Sequence, residues 1–272
     1  MIEPDLFAKV YDLQEAETPF VLATVVRTVS VTAAKAGAKA VILADGTVAA
    51  GWIGGGCARG ATLKAAQDSL ADGQPRLISV QPDDQMEEQG LLNGETRDGV
   101  RYAHNHCPSR GTMDIFVDPV LPRPELLVMG TSPVARVLVA LAGEFGFRVM
   151  AAAPAAAHGQ LSLADRLIDG FVPPPANGLR YVVVATQGAD DFAALSAAVA
   201  LDVPYIAFVG SRRKAESLRG DLLDAGVPAA RLAALKAPAG FDLGAVTPEE
   251  IALSILAEAV AVRRRGIASP AP

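Results

Sequence analysis

Apolar and polar positions change rhythm once along the chain. In the first part the apolar runs are short and strand-like. Phe20–Val29 is nearly unbroken and predicts a buried strand. Residues 38–43 and 47–50 flank Asp45-Gly46, a pair that favours a tight hairpin turn. Residues 58–70 predict a helix, and 76–80 and 113–117 predict two more strands. Between these strands, 81–102 is polar and glycine-containing, which predicts a loop or a short hairpin. Farther on, strand-like runs at 126–129, 148–152, 181–185 and 205–209 alternate with helical runs at 133–145, 191–200, 212–225 and 248–263. Gly146 is placed to stop the first of these helices. Thr247 is placed to cap the last, with Pro248 in its first turn. Strands alternating with helices indicate a parallel, doubly wound sheet.

Pro119, Pro122 and Pro124 form a stiff, extended connector where the rhythm changes. The expected organisation is α/β: a mixed α/β domain over 1–121, then a Rossmann-like doubly wound parallel sheet over 122–272. No internal repeat is visible, and 266–272 reads as a frayed tail.

Composition narrows the function classes. The 272 residues are 51% hydrophobic, enough for a sizeable core. A net charge of −6 argues against a nucleic-acid or anionic-membrane surface, which would need a basic face. Two cysteines, Cys57 and Cys107, are too few for a secreted disulfide scaffold. The first residues are acidic and polar, unlike a signal peptide, and no apolar run is long enough to span a bilayer. A cytoplasmic protein is expected.

The most informative chemistry lies at Gly54, Gly55, Gly56 and Cys57, which run straight into a predicted helix. Glycines let backbone approach a ligand, and a thiol at a helix N-terminus is drawn toward thiolate. The same run can also serve only a tight turn, with Cys57 a small buried apolar residue. Arg59 can stabilise thiolate or stay solvated. His104, His106 and Cys107 form a short cluster of metal-ligand types, but no second ligand pair accompanies it, and a polar loop explains it as well.

Gly130, Thr131 and Ser132 occupy the strand-to-helix turn of a dinucleotide fingerprint. Ser132 stands where that pattern has its second glycine, and the following strand ends in Ala151, Ala152 and Ala153 without the carboxylate that holds a ribose. Both features argue against NAD(P). Ser211, Arg212 and Arg213, with Lys214, open a later helix at another strand end. Cations oppose the dipole there, so an anionic ligand or a carboxylate partner is expected. No Ser-His-Asp order, HExxH motif or complete phosphate-binding loop occurs, so no catalytic residue is assigned.

Together these segments resemble the XdhC/CoxI family, accessory factors of bacterial molybdenum hydroxylases such as xanthine dehydrogenase and carbon monoxide dehydrogenase. The resemblance is carried by 23–27, Gly37-Ala38-Lys39, Asp45-Gly46-Thr47, Gly54 to Cys57, Cys107-Pro108-Ser109, 127–135, 210–214, 237–240 and 247–258. Ala58-Arg59 stands where the family usually has a Val-Glu-like pair, and Arg110 replaces a usual glycine. The resemblance implies a maturation chaperone rather than a turnover enzyme. It would bind molybdenum cofactor between its domains, support cofactor sulfuration with a cysteine desulfurase, and deliver the cofactor to the apo-hydroxylase. In that picture Cys57 and Cys107 contact the metal centre or carry sulfur, with Gly54, Gly55 and Gly56 beside them. Gly130, Ser132, Ser211, Arg212 and Arg213 hold the cofactor phosphate. The alternatives are an NAD(P)-dependent oxidoreductase and an adaptor without cofactor. The apolar face of 248–262 can serve a homodimer or the core.

Overall fold

The structure is a computed structural model and describes residues 4–106, 110–176, 178–188 and 190–266. The chain forms two compact units, Met1–Pro122 and Arg123–Pro272, each described by itself.

The first unit is a seven-stranded mixed sheet. Its elements in chain order are α1 (Pro4–Glu15), β1 (Phe20–Val29), β2 (Lys39–Leu43), β3 (Val48–Gly51), α2 (Gly56–Asp72), β4 (Arg76–Gln81), α3 (Asp83–Glu88), β5 (Thr96–Arg97), β6 (Val100–His104) and β7 (Thr112–Val120). The strand order is β3-β2-β1-β7-β4-β6-β5, with β4 and β6 parallel and the other pairs antiparallel. Alternation along β1 and β7 sends Val21, Ala23, Val25, Ile115 and Val117 to one face, under α2. That helix buries small residues, Ala58, Thr62, Ala65, Ala66 and Ser69, and so lies close against the sheet. α1 covers the other face near β2 and β3 through Leu6 and Leu13, packed with Phe20 and Val41.

Three expectations are revised here. The segment 81–102 holds the helix α3 as well as the β5–β6 hairpin, which turns on Asp98 and Gly99, both at positive φ. The Asp45-Gly46 hairpin is wider than a two-residue turn: Leu43 N–H bonds Thr47 O, and Gly46 alone of the pair has positive φ. Pro119 belongs to β7 rather than to the connector. β4 stops pairing with β7 at Val117, so a missing N–H at Pro119 costs little.

The second unit comprises β8 (Glu125–Met129), α4 (Pro133–Leu141), β9 (Arg148–Ala153), β10 (Arg166–Asp169), β11 (Arg180–Val184), α5 (Asp191–Val199), β12 (Tyr205–Phe208), α6 (Arg212–Asp224), α7 (Ala229–Ala233), β13 (Leu235–Lys236) and α8 (Pro248–Gly266). Every strand pair is parallel, in the order β10-β9-β8-β11-β12-β13. This is the doubly wound Rossmann arrangement. Both faces are covered, which is why β8 and β11 are buried along their whole length. Leu126 and Val128 face α4 and α8, while Leu127 and Met129 face α5 and α6. α4 continues as a 3-10 turn over Ala142–Phe145, which Gly146 ends in a left-handed conformation. At the start of α8, Glu250 N–H bonds Thr247 Oγ1 (3.3 Å) and Thr247 N–H bonds Glu250 Oε2 (3.0 Å), a reciprocal capping box. The apolar face of α8, Ala252, Ile255, Leu256 and Ala259, is in the core.

Candidate functional site

The glycine run delivers Cys57 to the second position of α2. Gly54 (φ +104°) and Gly56 (φ +54°) both adopt conformations that L side chains rarely reach, so the entry to the helix depends on them. Gly55 is the N-cap and supplies no side-chain acceptor, and the first turn of α2 has no acidic residue. The first N–H groups of the helix are therefore unanswered by local side chains. Cys57 itself is half-buried at the edge of the core, as a free thiol.

Cys57 opens onto a cavity of about 350 Å³ within the first unit, walled also by Lys64, Asn93, Arg101, His104 and His106. Arg101 Nη1 donates to Asp68 Oδ2 of α2 (2.6 Å). Lys64 has no ion-pair partner among the described residues. The two histidines share one carboxylate: His104 Nδ1 is 2.5 Å from Asp83 Oδ1, and His106 Nδ1 is 3.2 Å from Asp83 Oδ2. Their rings stack with centroids 5.4 Å apart and planes 7° from parallel. The His104 hydrogen bond holds the Asp83 carboxyl below its usual range, so it is ionised near neutral pH. Asp83 was not singled out by its sequence context. Parallel pairing of β4 with β6 sets Gln81 opposite His104 and so carries Asp83 to the histidines.

Cys107 lies outside the described residues, and so does any contact between the two sulfurs. Arg110, which follows it, pairs with Asp84 of α3. Among the described residues, no group of three or more His, Cys, Asp or Glu is placed to hold a metal ion.

In the second unit the fingerprint turn closes on its own chain. A Cβ on Gly130 would lie 2.6 Å from Ala185 O and from Thr186 Cα. This crowding matches the role of the first glycine in dinucleotide folds, a tight turn against the neighbouring strand end, here that of β11. Ser132 caps α4, its Oγ accepting from Ala135 N (3.1 Å), and its own N–H bonds Ala185 O (3.3 Å). Ser211 likewise caps α6. The carboxylate partner expected for that basic turn is Asp191, which is buried and pairs with Lys214. Arg213 is exposed, and Arg212 borders a separate cavity of about 680 Å³ lined by Gly210, Lys236 and Gly240. Lys236 is already paired with the buried Glu258 (2.9 Å).

No helix among the described residues is long and apolar enough to cross a membrane. Comparison with known proteins matches residues 13–81 to the XdhC and CoxI family and residues 126–259 to the XdhC Rossmann domain. The first match includes Gly54 to Cys57 and ends before His104. An uncharacterized protein YqeB of Escherichia coli (strain K12) is 26% identical over 280 residues, covering 95% of this chain and 46% of that protein. A probable xanthine dehydrogenase subunit of Bacillus subtilis (strain 168) is 29% identical over 163 residues, covering 57% of this chain and 47% of that protein. The chain thus spans about half the length of the curated relatives it matches. Among solved structures, a xanthine dehydrogenase from Bacillus halodurans is 19% identical, with a TM-score of 0.45 and 95% of each chain covered. With a parallel Rossmann unit following a mixed unit that opens its main helix with Gly-Gly-Gly-Cys, the chain belongs to the XdhC and CoxI family.

Proposed function

We propose that this chain supports maturation of a xanthine dehydrogenase-type enzyme by holding molybdenum cofactor at the Cys57 cavity. The observation that carries the reading is a thiol at an uncapped helix N-terminus, facing a cavity that Lys64 and Arg101 also wall. The donor set suits the group: a pterin phosphate is anionic and a molybdenum–sulfur centre is soft. When bound, the cofactor supplies the redox-active metal that the recipient enzyme uses. The chain's own residues do the holding. Cys57 Sγ offers a soft contact or a carrier for transferable sulfur, Lys64 offers charge, and the α2 N–H groups offer donors. Cys107 is proposed as a second sulfur, and a cysteine desulfurase and an apo-hydroxylase as partners. Gly130 and Ser132 are left out of this reading, because Gly130 N–H bonds Ala152 O, Ser132 N–H bonds Ala185 O and Ser132 Oγ caps α4.

Anaerobic purification tests the proposal. Wild-type protein is expected to retain pterin, read by fluorescence after oxidation. Cys57→Ala and Cys107→Ala are expected to lose most of it. Equal retention in all three rejects the thiol roles.

A further inference from the structure

α8 carries two apolar stripes where a surface helix needs one. The inner stripe, Ala252, Ile255, Leu256 and Ala259, is in the core of the second unit. Leu253, Ala257 and Ala261 follow one another at four-residue spacing on the side away from that core, with Val260 at the margin. Leu253 is 50% exposed, and the other three are partly exposed. The neighbouring α4 and its 3-10 turn cover the same face of the sheet and add Leu141 and Phe145, 36% and 38% exposed. Arg263 Nη1 donates to Phe145 O (3.0 Å), which sets the ends of the two helices side by side.

Opposite charges frame the outer stripe. Glu249 stands in the first turn of α8 and Arg264 and Arg265 in the last, all exposed and without ion-pair partners among the described residues. The helix dipole favours that placement in a lone helix, but it gives no reason for apolar residues on the solvent side between the charges. Fifteen residues separate Glu249 from Arg264, about 22 Å along the axis. The midpoint falls at Leu256 and Ala257. Leu256 is in the core, so Ala257 is the outward residue there. A second α8 laid antiparallel across Ala257 sets Glu249 of one copy against Arg264 and Arg265 of the other. It also sets Leu253 against Val260 and Ala261, and the two-fold axis repeats both sets of contacts. Alanine at the crossing lets the helix axes come close. We infer that this chain forms an isologous dimer through antiparallel pairing of the outer face of α8, with α4 at its flank. The occupant is a second copy because the face complements itself, its acidic end matching its own basic end. The inference goes beyond the cofactor reading and does not rest on it.

Sedimentation velocity of the full chain tests it. Wild type is expected to sediment at twice the monomer mass at micromolar concentration. Ala257→Glu puts like charges at the crossing and is expected to leave only monomer, with circular dichroism unchanged because the position lies off the core. Glu249→Arg and Arg264→Glu each set like charges against each other at both ends of the pair. Each is expected to weaken self-association about tenfold. Mixing these two variants restores opposite charges at both ends, so the mixture is expected to dimerise as the wild type does. Only pairing between copies gives that rescue. Wild type that stays monomeric overturns the inference and leaves the face to a different partner. A dimer that Ala257→Glu leaves intact lies on another face and overturns it as well. So does a mixture of the two charge variants that associates no better than either alone.

Discussion

Replacing Glu258 probes the polar knot that ties α8 to the sheet of the second unit. The residue is 5% exposed. Its Oε2 accepts from Tyr205 Oη (2.8 Å) and from Gly240 N (3.1 Å), and its Oε1 pairs with Lys236 Nζ (2.9 Å). Glu258→Leu leaves the Tyr205 hydroxyl and the Gly240 N–H without their acceptor. Lys236, whose side chain is 54% exposed, can turn to water instead. At about 1–3 kcal/mol for each donor left unsatisfied, the expected loss for the two is roughly 2–6 kcal/mol. Glu258→Gln keeps an acceptor oxygen for both donors and gives up only the half-exposed ion pair, a loss of about 1 kcal/mol. Tyr205→Phe is expected to cost about 1 kcal/mol in the native background but to recover about 1–3 kcal/mol in the Glu258→Leu background, where it removes the hydroxyl left without an acceptor. Urea unfolding followed by circular dichroism reads these differences. The chain's single tryptophan, Trp52, sits in the first unit, so its fluorescence follows that unit separately. A loss below about 1 kcal/mol for Glu258→Leu, or an equal Tyr205→Phe cost in both backgrounds, refutes the reasoning.

Burial and the bond to Glu258 push the Tyr205 hydroxyl pKa well above its ordinary value. The folded state therefore keeps this proton at pH values where the unfolded chain has released it, so stability falls as pH rises above the unfolded value of about 10. Urea midpoints between pH 9 and 11 should fall less steeply in Tyr205→Phe, and equal slopes would exclude Tyr205 as a source. Gly130→Ala introduces a Cβ 2.6 Å from Ala185 O at a φ of +112°. A loss of about 1–3 kcal/mol is expected in the second unit's transition, and a neutral substitution would mean the turn is looser than its geometry states.

Legibility in the sequence followed burial. β8 and β11 are covered on both faces and read as continuous apolar runs. α1 was not legible because only Leu6 and Leu13, seven residues apart, mark its buried stripe within an acidic, polar segment. β10 buries only Ile168, and β13 is two residues long, too little for any pattern to show. The β5–β6 hairpin did carry a signal, Asp98-Gly99, inside a segment read chiefly as polar loop. At the site, Gly54 to Cys57 were legible because their chemistry is local. Asp83 was not, since its meeting with His104 and His106 depends on pairing between strands about twenty residues apart. The basic first turn of α6 was legible as a problem, and its answer, Asp191, came from a neighbouring helix.

The rims of the seven-stranded sheet bear on how another molecule can engage the first unit. At one border only Thr96 and Arg97 continue the ladder, and at the other β3 stops after four residues. Stubs of that length offer too few free peptide groups to template an added chain, which guards against stacking of copies edge to edge. Recognition of this unit must then be written in its loops and helix surfaces, where single substitutions can retune it without disturbing the ladder.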